Sequence, residues 1–170
     1  MQIKTTEEDY RIAWLTALAI SIHILESAIP SPLPGIKPGL ANVITIAVLM
    51  QFGWRIAAWV SLLRVLCGSL ILGTFLSPTF VLSLGGAICS ISILWLACRM
   101  PGGGFGPIGF GVLAALAHMT GQFLLANLLF IPHAAIWYLF PVLLTAALLF
   151  GILSGIIARA MCSEDIPCKL

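Results

Sequence analysis

The chain has 170 residues, 61% of them hydrophobic and 8% charged, with a formal net charge of +2 and a mean hydropathy of +1.12. A soluble domain carries about 25% charged residues because its surface faces water, so the composition excludes a soluble globule and points to an integral membrane protein. The small net charge, with no basic tract, excludes nucleic acid as a partner and leaves the lipid bilayer.

About 20 apolar residues cross a bilayer as a helix, and runs of this kind predict six helices in one transmembrane domain, 1–170. The first runs roughly over 11–29. Lys4 and Arg11 precede it as in a signal peptide, but it carries Glu26 and has no A-x-A site, so it reads as a retained helix. His23 and Glu26 are i, i+3 neighbours on it. The stretch ESAIPSPLPGIKPGLAN follows, with four of the chain's ten prolines between Pro30 and Pro38. Proline has no N–H and a fixed φ, so no helix continues through it. The predicted loop either dips into the bundle as an ordered lid or wall, because unpaired backbone at membrane depth must be buried or line a cavity, or forms a rigid surface turn.

The second helix, 40–52, is short and ends at Gly53. The third, 54–76, places Ser61, Arg64 and Gly68 on one face. Pro78 opens the fourth, 79–98, with the small-residue stripe Ser83, Gly86, Ala87 and Ser90. RMPGGGFGP at Arg99 to Pro107 leads into the fifth, 108–130, where Gly111, Ala114, His118 and Gln122 share a face. After IPH at Pro132 comes the sixth, 136–159. Small-residue stripes are, by default, helix-packing surfaces. Of the five cysteines, three lie in apolar runs, and Cys162 and Cys168 lie in a polar tail. None has C-x-x-C spacing.

Lysine and arginine set orientation. In a six-helix arrangement Lys4, Arg11, Arg55, Arg99, Arg159 and Lys169 fall on one side, and of the loop residues only Lys37 falls on the other. The expectation is a multi-pass protein of the cell membrane with both termini cytoplasmic.

A charged side chain inside a bilayer costs at least about 2.5 kcal/mol on insertion scales. Glu26 and Arg64 are two such groups. Either they neutralise each other, or they face a polar cavity. With His23, His118, Gln122 and, above them, Lys37, they amount to more polarity than packing requires, and suit a small polar or anionic solute entering from the outer face.

No catalytic constellation emerges. The chain has six acidic residues, with no H-E-x-x-H, G-x-S-x-G or P-loop. GGGFG at Gly102 to Gly106 follows no strand and reads as a turn. No cofactor and no metal are expected.

The run E-x-x-I-P-x-P-x-P-G-x-K-x-G-L-A-N at Glu26 to Asn42 resembles the signature of the Gx transporter family, also labelled heptaprenyl diphosphate synthase component I. LLRVLCGSLILGTF at Leu62 to Phe75, LSLGGAICS at Leu82 to Ser90 and AHMTGQ at Ala117 to Gln122 resemble it too. Met119 stands where a polar residue such as Asn is expected. The family is similar to the substrate-binding S-components of energy-coupling-factor transporters. That resemblance implies an all-α bundle of about six helices and a pocket near the outer face. It also implies an A-x-x-x-A motif on the first helix that docks a coupling subunit. AWLTA supplies Ala13 and Ala17 at that spacing.

The resulting expectation is a substrate-binding group of Glu26, Lys37, Asn42, Arg64, His118 and Gln122, with Ala13 and Ala17 docking a coupling (T/ATPase) partner. The alternative is a membrane-embedded, non-catalytic partner of a soluble prenyl diphosphate synthase subunit. A synthase needs clustered carboxylates to hold magnesium against diphosphate, and this chain has no D-D-x-x-D. A second alternative is a structural subunit of a membrane complex.

Overall fold

The computed structural model describes residues 7–27, 42–100 and 105–162, the side chains of 8, 26 and 27 excepted. Six α-helices form: α1 (Glu7–Ser27), α2 (Asn42–Phe52), α3 (Trp54–Ile71), α4 (Pro78–Cys98), α5 (Pro107–Leu129) and α6 (Phe140–Met161). A 3-10 turn (Ala134–Tyr138) precedes α6. The described chain has no strand, and the fold is the expected all-α membrane bundle.

The predicted helices agree with these to within two residues, except at three ends; the first helix starts at Glu7, four residues before the predicted 11. The third helix stops at Ile71 rather than residue 76, because Gly73 turns into the left-handed region (φ 66°) and Ser77 then caps α4. Ser77 Oγ accepts from Phe80 N–H at 3.3 Å, with Pro78 in the first turn, where its missing N–H costs nothing. The sixth helix starts at Phe140 rather than 136. His133 Nδ1 accepts from Ala135 N–H at 3.1 Å and closes the separate 3-10 turn. Between α2 and α3 there is one residue, Gly53, at φ 91°, a conformation glycine adopts without a Cβ clash.

α2 organises the bundle. Its residues Asn42 to Met50 are all buried, as expected of a helix that is apolar all round. It packs against α1, α3, α5 and α6, while α3 meets α1 and α4, and α5 meets α4 and α6. The main core therefore surrounds Ile46, Val48 and Leu49 and draws in Val60, Leu94, Phe110 and Ala158. The opposite surface is apolar as well: Trp14 is 78% exposed and Tyr138 85%, an arrangement that suits lipid rather than water.

Of the six expected transmembrane helices, four among the described residues, α3, α4, α5 and α6, are long and apolar enough to cross a membrane; α1 has the length but not the apolar character, and α2, at 11 residues, is shorter. Contacts fix the two ends of the bundle. At one end Gln51 Nε2 donates to Met161 O at 3.3 Å, Arg11 lies 5.9 Å from the Phe52 ring centroid, and Trp54 meets Trp95. At the other lie Asn42, Pro78 and the aromatic group Phe123, Trp137 and Phe140. Arg11, Arg55, Arg99 and Arg159 all belong to the Trp54 end.

Candidate functional site

A layer of polar side chains crosses the interior of this apolar bundle. α1 contributes His23. α2 contributes Asn42 and Thr45. α3 contributes Ser61 and Arg64, α4 Ser83 and Ser90, and α5 His118 and Gln122, all buried. Arg64 is 3% exposed and Gln122 wholly enclosed. Arg64 Nη2 donates to Asn42 Oδ1 at 3.5 Å, which ties the start of α2 to the middle of α3. Arg64 and His23 are both within electrostatic reach of His118.

Two glycines make the room. A Cβ on Gly86 would stand 2.8 Å from Gln122 Cγ and 2.9 Å from His118 Cε1, and a Cβ on Gly68 would stand 2.9 Å from His23 Cδ2. The stripe on α4, expected to serve helix packing, is therefore also the seat of the two polar residues of α5. Among the described residues several buried polar atoms have no hydrogen-bond partner, including Asn42 Nδ2, Thr45 Oγ1, Ser90 Oγ, and both Oε1 and Nε2 of Gln122.

Four of the expected substrate-binding residues, Asn42, Arg64, His118 and Gln122, thus lie in one buried layer. The Glu26 side chain and Lys37, with the proline-rich stretch, lie outside the described residues. Ala13 and Ala17 are elsewhere. They are exposed on the outer surface of α1, beside Trp14 and Leu18.

Two features were not read from the sequence. Thr45 sits one turn from Asn42 on a helix whose apolar character hid it. An apolar pocket of about 590 Å³, lined by Pro78, Leu82, Phe123, Phe130, Ile136 and Leu143, lies where α4 and α6 begin and α5 ends. Its only sequence signal is the aromatic spacing around the Pro132 break.

A family model described as heptaprenyl diphosphate synthase component I matches residues 15–161. The chain belongs to that family. The match spans every described residue of the polar layer in this component I family member, and Ala17 but not Ala13. No curated protein and no solved structure matches the chain.

Proposed function

We propose that the chain is the membrane-embedded, non-catalytic component of a heptaprenyl diphosphate synthase, working with a soluble prenyl diphosphate synthase subunit. The family match over residues 15–161 carries this reading. The chain's own chemistry agrees with it. Transfer to an allylic diphosphate needs metal held against the leaving group, and the six acidic residues form no aspartate-rich motif. The exposed Ala13 and Ala17 offer a face where a partner helix approaches closely.

The purified chain alone is expected to elongate no allylic diphosphate. Mixed with the soluble subunit in lipid nanodiscs, it is expected to co-elute with it and to change rate or product length. Ala13→Trp with Ala17→Trp is expected to break co-elution without lowering the melting temperature, since both positions face outward. Elongation by the chain alone, or a soluble subunit that ignores it, sinks the reading.

The buried layer favours a second reading, a substrate-binding or transport component for a small polar or anionic solute. Polar groups at membrane depth are expensive and commonly mark substrate pathways. Asn42, Arg64, His118 and Gln122 would hold the solute.

In either reading the protein sits in the cell membrane with the Trp54 end, rich in arginine, toward the cytoplasm. In a cysteine-free background, Arg55→Cys is expected to label only from inside and His133→Cys only from outside. Labelling of both from one side contradicts this orientation.

A further inference from the structure

The arginine-rich end of the bundle carries a cavity of about 490 Å³ between the start of α3 and the end of α4. Trp54, Ile91, Ser92, Trp95, Leu96 and Arg99 line it. Counted back from Arg99, the α4 residues fall at i, i+3, i+4, i+7 and i+8, one face of the helix. At a rise of 1.5 Å per residue this makes a slot about 12 Å long. Its chemistry is graded along that length. The guanidinium stands at the end of α4, and below it the walls are indole and aliphatic. Ser92, the hydroxyl of the lining, donates to Ile88 O at 2.8 Å within its own helix.

Arg99 is exposed and makes no ion pair among the described residues. Its Cζ lies over the Trp95 ring, 4.0 Å from the centroid. Trp54 meets Trp95 edge-on, with ring centroids 6.4 Å apart. Stacking uses the face of a guanidinium and leaves its N–H edge, the part that grips a phosphate bidentately. A water-borne anion has no use for the apolar slot below, and a neutral lipid has none for the cation above. An amphiphile with an anionic phosphate head and a hydrocarbon tail matches both. Basic pockets between membrane helices recognise such head groups.

We propose that this cavity binds one anionic phospholipid, its phosphate on Arg99 and the upper part of an acyl chain along Trp95, Ile91 and Leu96. The site shares no residue with the polar layer and holds under either reading of function above.

Thermal unfolding of the full chain in neutral detergent micelles tests this with three probes: phosphatidylglycerol, phosphatidylcholine and inorganic phosphate. Phosphatidylglycerol is expected to raise the melting temperature with dose, less so as salt is added, and the other two are not. Arg99→Gln is expected to weaken phosphatidylglycerol binding about tenfold, as a charge-assisted hydrogen bond is lost. Trp95→Leu keeps the slot apolar but removes the platform under the guanidinium, and is expected to weaken binding by less. Should Arg99→Gln not fold, Trp95→Leu reads the same site. Arg159→Gln removes the same charge from the same end, outside the lining, and is expected to change little.

Equal stabilisation by phosphatidylcholine overturns the proposal and leaves a slot for any acyl chain. Equal stabilisation by inorganic phosphate overturns it in favour of a water-borne anion. No response to phosphatidylglycerol, or equal losses at Arg99 and Arg159, shows only a diffuse surface charge, and the site falls.

Discussion

Gly111→Ala and Gly155→Ala are each expected to destabilise the bundle by about 1–3 kcal/mol or more, the range for overpacking a close-packed interior. α5 and α6 approach through these residues. A Cβ on Gly111 would collide with the carbonyl oxygen of Gly151 and stand 2.9 Å from Gly155 Cα. A Cβ on Gly155 would stand 2.5 Å from Ile108 Cα and 2.9 Å from Pro107 O. The obstacles are main-chain atoms, so no side-chain rotation relieves them and the helices must separate. Separation forfeits contacts along the whole seam, and in lipid, where helix association depends on packing rather than on burial from water, little compensates. Gly106→Ala is the control, because a Cβ there meets nothing within 4 Å. Chemical unfolding in detergent micelles measures all three. Parent-like stability of both the Gly111 and Gly155 variants would mean that α5 and α6 do not pack this closely.

The sequence showed that seam only in part. The spacing puts Gly111 on a helix face with Ala114 and His118, where small residues gather, but nothing in it names α6 as the partner. Periodicity reports a face, not what covers it. The same limit explains α2. A run of apolar residues too short to span a bilayer reads as a weak helix, whereas its burial on every side makes it the centre of the fold. Helix existence was legible throughout, because proline, glycine and polar breaks punctuate apolar runs sharply. The ends of α3 and α6 were less so. They depend on Gly73 and on the turn capped by His133, which are conformational rather than compositional signals.

The candidate site was more legible than the fold around it. Arg64, His118 and Gln122 are conspicuous because polar residues are rare in apolar helices, and the structure brings them into one layer with Asn42. What composition could not show is the geometry of satisfaction. The small polar or anionic solute expected from these groups specifies no hydrogen-bonding pattern, whereas the enclosed Gln122 carries a donor and an acceptor together. Gly86 is the clearest instance. As a letter in a small-residue stripe it predicts packing. In place, it leaves the space that His118 and Gln122 occupy.

Replacing Arg64 with Met is expected to cost about 1.5–3 kcal/mol for the hydrogen bond from its charged group alone. Part of the loss falls on Asn42, whose Oδ1 accepts from Arg64 Nη2 and whose Nδ2 has no partner among the described residues. With the guanidinium gone, the whole carboxamide is stranded at the start of α2, the helix at the centre of the main core. Arg64→Lys keeps the charge and loses the planar fork, so it is expected to recover part of the stability but little of any ligand binding. Glu26 tests what balances the charge. Removing one member of a buried pair costs more than removing both, because the survivor is left uncompensated. If Glu26 and Arg64 form a structural pair, Glu26→Gln with Arg64→Gln is expected to be more stable than Arg64→Gln alone and to retain function. If Arg64 serves the site, stability recovers in the double variant and function does not. Stability by unfolding in nanodiscs, with co-elution with the soluble subunit as the functional readout, separates the two. A double variant with full function removes Arg64 from the site and leaves it as the ion that holds α2 to α3.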